Sequence, residues 1–257
     1  MKIFYKEKTN RYFWDENWKD EKPRSLHKIS RDQIICLLNQ YLPNKNVITN
    51  KNNFRILDAG CGLGEYVAYF SEEGYEIIGI DNSKVALEHV RNYWNNKYKF
   101  QYGDILSLND FPENSLDMYI SLGVFEHFEE GMMGPLLEAN RVLKPGGKLV
   151  ISVPYINILR KYSKSYRENS EGKIFHQYVY SKEELSHELE KAGFNIIKYC
   201  PLAMSWAFYG DYKIFQVMPL GKIISRVLSK IAKCFCPCVV AHMILLIAEK
   251  KSPIKTF

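Results

Sequence analysis

With 257 residues, 46% of them apolar and 25% charged, the chain can bury a full core, which excludes a disordered or fibrous protein. Its net charge of +6 is mild for this length and by itself requires neither a nucleic-acid nor a membrane partner. No apolar run reaches the ~20 residues that span a bilayer, and neither a signal peptide nor a disulfide framework is recognisable, so we expect a cytoplasmic protein.

The N-terminal segment, up to about Ser30, is polar but rich in aromatic rings that follow no helical or strand period. These rings belong to Tyr5, Tyr12, Phe13, Trp14 and Trp18. Such a segment is typical of an arm that docks onto a domain, so residues 1–53 are predicted to form an aromatic and helical cap. Within it, Ser30-Arg31-Asp32-Gln33 is a capping-box pattern and predicts the start of a helix that Pro43 closes.

An apolar run that begins at Phe54 then breaks abruptly into Gly60, Gly62 and Gly64. This pattern predicts a buried strand, Arg55–Asp58, that enters a tight turn followed by a helix. Glycine permits a positive φ and a close backbone approach, and the following helix directs its N–H groups and positive dipole end at the turn. The stretch therefore predicts a seat for a nucleotide-like ligand.

Strand and helix patterns alternate from here to Pro154, which predicts a parallel sheet with helices on both faces. The later strands are predicted at Tyr75–Asp81, Tyr98–Tyr102, Leu116–Ser121, Lys148–Val153, Phe194–Tyr199 and His242–Ala248. The helices are predicted at Glu65–Glu73, Ser83–Trp94, Gly134–Leu143 and Ser181–Lys191, with a turn at Lys144–Gly147. Two insertions interrupt the pattern at about 155–179, expected as loop with some helix, and at about 201–238.

Three of the predicted strand ends carry acids, namely Asp58, Asp81 and Asp104. Ligands of open α/β sheets bind beyond these ends, and a carboxylate can accept two ribose hydroxyls at once. The alternative for each acid is that it only caps the helix behind it. Three acids at neighbouring strand ends favour a ligand.

An NAD-dependent oxidoreductase is a rival interpretation of the glycine turn. Its fingerprint is G-x-G-x-x-G, whereas here Glu65 and Tyr66 follow glycines spaced at every second position. Asp58 also places negative charge where a pyrophosphate would lie. A cationic amino-acid tail suits the turn better.

Five motifs, in order, resemble those of class I S-adenosylmethionine-dependent methyltransferases. They are Ile56–Gly64, Gly79–Ser83, Gly103–Ile105, Leu116–His127 and Glu138–Leu149. The resemblance covers about 54–153 and continues weakly through 181–199 and 242–249. It implies an α/β, Rossmann-like doubly wound sheet of seven strands in the order 3-2-1-4-5-7-6, with strand 7 antiparallel, and assigns residues 54–257 to the methyltransferase domain.

The resemblance also implies a set of residues that bind S-adenosyl-L-methionine. Asp58, Gly60 and Gly62 would surround its methionine part, with Cys61 and Gly64 in the same loop, and Ser121 and Leu122 would lie near the sulfonium. Asp81 would bind the ribose. Asn82 would lie beside the adenine, Asp104 would accept from the adenine amino group, and Ile105 would pack against the ring.

The reaction that the resemblance implies is in-line attack on a sulfonium methyl, for which the protein supplies mainly alignment. A base is needed only when the acceptor loses a proton, and His127, preceded by Glu126, is the candidate. The alternative is a histidine that only positions a loop. Related ubiquinone-type O-methyltransferases carry a Glu-x-x-Glu-His metal site here, but Gly123 stands at the first acidic position, so no metal is predicted.

The second insertion contains an amphipathic stretch at 219–233. Its apolar stripe consists of Leu220, Ile223, Ile224, Val227, Leu228 and Ile231. Its basic residues are Lys222, Arg226, Lys230 and Lys233, elsewhere around the helix. A lid packed over the substrate pocket is the favoured interpretation, because such stripes are usually core. Peripheral contact with an anionic membrane is the other.

Cys234, Cys236 and Cys238 lie close to His242 in the sequence. Their spacing is tighter than the usual zinc arrangement, so free thiols are predicted instead.

The sequence thus predicts a methyltransferase for a small-molecule or lipid-like acceptor. The alternatives are an NAD-dependent oxidoreductase and a non-catalytic, membrane-associated scaffold that binds the cofactor. Nucleic-acid binding is not expected, because no basic stripe accompanies the aromatic N-terminus. The pattern does not distinguish O-, N- and C-methylation.

Overall fold

A computed structural model describes residues 2–6, 18, 21–43, 54–157, 160–161, 174–202, 220–235 and 241–252. The strands are β1 (Lys2–Lys6), β2 (Arg55–Ala59), β3 (Glu76–Asp81), β4 (Phe100–Tyr102), β5 (Leu116–Leu122), β6 (Leu143–Pro154), β7 (Ile174–Val179), β8 (Phe194–Leu202) and β9 (Met243–Lys250). The helices are α1 (Leu26–Ile29), α2 (Gln33–Leu38), α3 (Glu65–Glu72), α4 (Lys84–Tyr93), α5 (Met133–Val142), α6 (Lys182–Lys191) and α7 (Gly221–Phe235), with a 3₁₀ turn at Phe125–His127.

Seven strands form one sheet in the order β4-β3-β2-β5-β6-β9-β8. Neighbouring strands are parallel from β4 to β6, whereas β9 runs antiparallel to both β6 and β8. Because β8 and β9 are the sixth and seventh strands of this sheet along the chain, the order 3-2-1-4-5-7-6 is confirmed. β1 and β7 form a separate antiparallel pair.

Side chains alternate between two cores on the two faces of this sheet. Along β6, Leu149 and Ile151 enter one core and Val150 enters the other. Helices α5 and α6 close the first core, and α1 to α4 close the second. Burial on both faces is typical of central parallel strands and holds their carboxyl ends in fixed positions.

The helix behind the glycine turn begins where the sequence predicts, at Glu65, and Gly64 precedes it in a left-handed conformation with φ +65°. A Cβ at this position would lie 2.4 Å from Cε1 of Phe100 and 2.8 Å from Cγ2 of Val90. Gly64 therefore fixes how closely the turn approaches β4 and α4.

Gly64→Ala is expected to lower the free energy of unfolding by about 2–4 kcal/mol, because left-handed strain adds to overpacking of a buried ring. Gly146→Ala is the matched control, since Gly146 also has a positive φ (+78°) but nothing lies within 4 Å of its added Cβ. It is expected to cost only about 1 kcal/mol. Urea unfolding at constant m-value measures both. Equal losses would show that packing at Gly64 contributes nothing.

The N-terminal helix differs from its prediction at both ends. Asp32, not Ser30, caps α2, and its Oδ1 accepts a hydrogen bond from Ile34 N at 2.8 Å. Ser30 instead ends α1, and α2 ends at Leu38, well before Pro43. The capping-box prediction was wrong because Gln33 is the first helical residue, directly after a better cap.

The predicted turn at Lys144–Gly147 lies inside the bounds of β6. Opposite Asp117, the pairing of β5 with β6 shifts register, so these residues bulge out of the ladder. Gly146 provides the positive φ, and Lys144 Nζ lies 2.8 Å from Oδ1 of Asp117. The turn is thus a bulge within one strand.

The first insertion contains a strand that was not predicted, whereas the helix in the second agrees with the amphipathic stretch at 219–233. Region 155–179 includes β7, which pairs with β1 at the N-terminus. Of the second insertion, Pro201 and Leu202 extend β8, and α7 follows. Tyr12, Phe13 and Trp14 lie outside the described residues. Within the described part of the chain, no helix is both long and apolar enough to cross a bilayer.

Candidate functional site

The carboxyl ends of β4, β3, β2 and β5 open onto one cavity of about 420 Å³. Neighbouring strands lie about 4.8 Å apart, so the four ends span roughly 14 Å, the length of a nucleoside with an amino-acid tail. The cavity is lined by Trp18, Asp58, Gly60, Cys61, Gly62, Leu63, Glu65, Tyr66, Asp81, Asn82, Gly103, Asp104, Ile105, Leu122, Gly123, Val124, His127 and Phe128.

Asp58, at the end of β2, is a buried acid inside this cavity, with 3% of its surface exposed. Burial, together with the nearby carboxylates of Asp81 and Glu65, raises its pKa to about 7. Its Oδ2 atom has no hydrogen-bond partner among the described residues. A buried acceptor of this kind is costly unless a ligand satisfies it, and a cationic donor would do so best.

Asp81 lies at the end of the neighbouring strand β3 and is also buried. Its Oδ1 accepts a hydrogen bond from Ser83 N, and its Oδ2 accepts one from Gly62 N, both at 2.9 Å. Ser83 itself caps α4, because its side chain accepts from Ala86 N, so the first bond fixes the turn between Asp81 and the helix. The second ties the acid to the glycine turn and holds the carboxylate at the cavity, where a carboxylate can accept from ligand hydroxyls.

Asp104 and Ile105 follow β4 at the far end of the cavity. Oδ1 of Asp104 accepts a hydrogen bond from Leu106 N at 2.9 Å, which orients the carboxylate. Ile105 is buried and offers an apolar surface beside it. Asn82, exposed, lies between this end and Asp81. The group suits a ring that has an amino group on its edge.

The glycine turn lets the backbone and an aromatic ring approach the cavity. A Cβ at Gly60, where φ is +78°, would lie 2.5 Å from Cγ2 of Val124. A Cβ at Gly62 would lie 3.0 Å from Cζ2 of Trp18, a residue of the N-terminal segment. Cys61 lines the cavity too, and burial beside Asp58 raises the pKa of its thiol, which keeps it neutral.

Two of the predicted cofactor residues support the cavity without lining it. Ser121 is buried, and its hydroxyl donates to the carbonyl of Ala59 at 2.7 Å, which ties β5 to β2. Gly64 allows the turn to pack closely against the ring of Phe100. Leu122 does line the cavity, as the sequence predicts.

His127 lines the cavity at the end of β5, with Glu126 buried behind it. Nδ1 of His127 lies 2.7 Å from the carbonyl oxygen of His176, and because a carbonyl only accepts, the ring proton sits on Nδ1. Nε2 then carries the lone pair, 4.0 Å from Oε1 of Glu126. Burial raises the pKa of Glu126 to about 8, so this carboxyl holds its proton at neutral pH.

Part of the cavity wall is apolar and aromatic. It is formed by Trp18, Tyr66, Val124 and Phe128. Tyr66, Val124 and Phe128 are not among the predicted site residues. Val124 lies within the fourth motif, whereas Tyr66 and Phe128 belong to none of the five. Arg24, which pairs with both Glu65 and Asp32 at 2.6 Å, anchors the N-terminal segment near this wall.

Among the described side chains, no group of three or more His, Cys, Asp or Glu is arranged to hold a metal ion. Cys236 and Cys238 lie outside the described residues, as does the side chain of Cys234. His242, immediately before β9, instead contacts the guanidinium of buried Arg160.

Residues 57–151 match a family model described as a methyltransferase domain. Over 141 residues the chain is 28% identical to a probable S-adenosylmethionine-dependent methyltransferase of Mycolicibacterium smegmatis, covering 55% of this chain and 52% of that protein. Over 123 residues it is 32% identical to a sterol 24-C-methyltransferase of Gibberella zeae, covering 45% of this chain and 31% of that protein. The chain thus spans about half the length of the first relative and less of the second.

Among solved structures, the chain resembles phosphoethanolamine N-methyltransferase 2 of Haemonchus contortus, with a TM-score of 0.61 and 19% identity. The match covers 94% of this chain and 58% of that one, whose structure contains phosphomonomethylethanolamine and S-adenosylhomocysteine. At this identity the likeness concerns the fold.

Proposed function

Because this chain belongs to the class I S-adenosylmethionine-dependent methyltransferases, we propose that it transfers the methyl group of that cofactor to a small-molecule or lipid-like acceptor. The observation that carries the proposal is the buried Asp58, which lines the cavity. Its Oδ2 has no hydrogen-bond partner among the described residues. S-adenosylmethionine fits this site, because its amino-acid end supplies a cationic donor. Bound there, it contributes an electrophilic methyl group on a sulfonium sulfur.

Each acid has a separate role in this proposal. Asp58 accepts from the ammonium group, Asp81 accepts from the ribose hydroxyls, and Asp104 accepts from the adenine amino group while Ile105 covers the ring. The glycine turn brings backbone close to the methionine part. The residues therefore act by binding and aligning the cofactor, which is the main contribution that a methyl transfer requires of the protein.

His127 is proposed as the base for an acceptor that loses a proton. Its Nδ1–H is held by the His176 carbonyl, which turns the ring so that Nε2 is the accepting nitrogen. Glu126, kept protonated by burial, leaves the imidazole as the basic group at this end.

The aromatic wall supports an acceptor with an apolar body. Trp18, Tyr66 and Phe128 line the same cavity as His127 and the three acids. Trp18 reaches this position from the N-terminal segment, which supports residues 1–53 as a cap over the cavity. The sterol methyltransferase relative is consistent with an acceptor of this class.

Incubation with S-adenosylmethionine labelled in its methyl group, and with apolar acceptors that carry a hydroxyl, an amine or a nucleophilic carbon, tests the proposal. We expect one class to become labelled, with release of S-adenosylhomocysteine, and mass spectrometry then identifies the methylated atom.

His127→Gln is expected to lower kcat at least tenfold for a hydroxyl acceptor, with an unchanged KM for the cofactor.

His187→Gln, on the exposed face of α6, is the control and should leave kcat unchanged. Cofactor binding without label transfer to any acceptor would favour the non-catalytic scaffold. Binding of a nicotinamide cofactor in place of S-adenosylmethionine would overturn the proposal.

A further inference from the structure

The helix α7 presents its apolar stripe to solvent. Leu220 is 68% exposed, Ile223 55%, Val227 51% and Ile231 52%. The lid interpretation requires these side chains to be packed, so the structure does not support it. An exposed apolar surface of this size marks a contact site.

Small residues, not the stripe, form the buried face of α7. Gly221 and Ser225 are buried, the latter with 0% exposure, and they lie one turn apart on the same face of the helix. The covered face of α7 is therefore its small-residue face, and the large apolar side chains lie exposed on another face.

A basic sector borders this apolar stripe. At 100° per residue, positions 222, 226, 230 and 233, which are Lys, Arg, Lys and Lys, fall together on the side of the helix between the small face and the stripe. Arg226 is exposed. The fifteen residues of α7 include no acid, so the helix itself supplies no counter-charge to its basic positions.

We propose that α7 is a membrane-docking helix that lies on a bilayer containing anionic phospholipid, with its apolar stripe at the acyl boundary and its basic sector at the headgroups. Helices that lie in this interface have this combination of faces. The proposal does not depend on methyl transfer, because it rests on the exposed face of one helix.

A second copy of the chain fits the same surface less well. A two-fold symmetric contact would bring the same patch of both copies together. Since α7 carries no acid, the two basic sectors would face each other without counter-charge from either helix. An anionic lipid surface supplies that counter-charge.

Vesicle flotation of the full chain tests the proposal, with vesicles of phosphatidylcholine alone and of phosphatidylcholine mixed with phosphatidylglycerol. Binding is expected to the anionic vesicles and to weaken as salt rises. The triple variant Lys222→Gln, Arg226→Gln, Lys230→Gln should weaken partitioning by on the order of a hundredfold, given about 1 kcal/mol for each basic residue near the surface.

The matched control removes three exposed charges elsewhere, with Lys28→Gln, Arg31→Gln and Lys191→Gln. It should retain most of the binding if α7 is the docking element. Ile223→Gln, Val227→Gln, Ile231→Gln should abolish binding while preserving cooperative thermal unfolding, because these side chains are exposed in the native protein.

Three results would overturn the proposal. These are absence of vesicle binding, equal binding to neutral vesicles, and equal losses in the control and the α7 charge variant. A concentration-dependent dimer that the apolar variant dissociates, without vesicle binding, would assign the stripe to a second copy.

Discussion

Asp81→Asn is expected to weaken binding of S-adenosylhomocysteine by on the order of a hundredfold or more. A carboxylate that accepts two ribose hydroxyls contributes about 1.5 kcal/mol or more for each charged hydrogen bond. An amide has only one acceptor oxygen, and in Asp81 both oxygens already accept from the backbone, from Ser83 N and Gly62 N. The substitution therefore removes ribose acceptors and disturbs the glycine turn together.

Calorimetric titration of the purified variant measures this effect. Asp110→Asn, which removes the same charge from an exposed acid outside the cavity, should bind like the wild type. An Asp81→Asn protein that unfolds cooperatively yet binds the ligand within threefold of the wild type would contradict the ribose assignment.

Asp58→Asn is expected to remove a pH dependence from ligand binding. Because burial and the neighbouring acids raise the pKa of Asp58 to about 7, the free protein holds a proton there that an incoming ammonium displaces. Wild-type affinity should therefore fall about tenfold for each pH unit below about 7, with release of up to one proton on binding. At pH 8 the variant should bind on the order of a hundredfold more weakly, and this gap should close toward pH 5.

Stability of the free protein provides an independent measurement of the same group. A carboxyl whose pKa is higher in the folded than in the unfolded state holds its proton only while folded, so the free energy of unfolding falls as the pH rises from about 4 to about 7. Asp58→Asn should remove that contribution and stabilise the free protein at pH 8.

Asp104→Asn is the control for the Asp58 variant, because it removes one negative charge from the same cavity without changing Asp58. It leaves Asp58 intact, so it should lower affinity by roughly tenfold while keeping the wild-type pH slope. If the affinity of Asp58→Asn still falls below about pH 7, another group titrates on binding, and the assignment of Asp58 to the ammonium fails.

The sheet and the acids at its edge could be predicted from the sequence, because both follow from local patterns. Asp58 and Asp81 end short apolar runs, Asp104 follows a short predicted strand, and a parallel sheet necessarily brings such strand ends to one edge. The glycine turn is equally local, since Gly60 and Gly62 have the positive φ that the prediction needs.

The acceptor end could not be predicted in the same way. Trp18, Tyr66 and Phe128 come from distant parts of the chain and share no period or motif, so only the folded chain brings them together. Ser121 shows the same limit on a smaller scale, because its hydroxyl is used by the Ala59 carbonyl across the sheet.

In α7, the sequence predicts an apolar stripe but not which face the rest of the protein covers. Large apolar side chains usually face the core, and that expectation favoured a lid. In the structure, Gly221 and Ser225 form the covered face instead. Small residues give little hydrophobic signal, so a helix that is buried on its small residues appears from its sequence to be buried on its stripe.

A crystal structure with S-adenosylhomocysteine bound tests the assignment of the three acids most directly. We expect the ligand ammonium within hydrogen-bond distance of Asp58 Oδ2, the two ribose hydroxyls on Asp81 and the adenine amino group at Asp104, with open space beside the sulfur facing His127. A ligand bound elsewhere, or one whose ammonium leaves Asp58 without a contact, would contradict it.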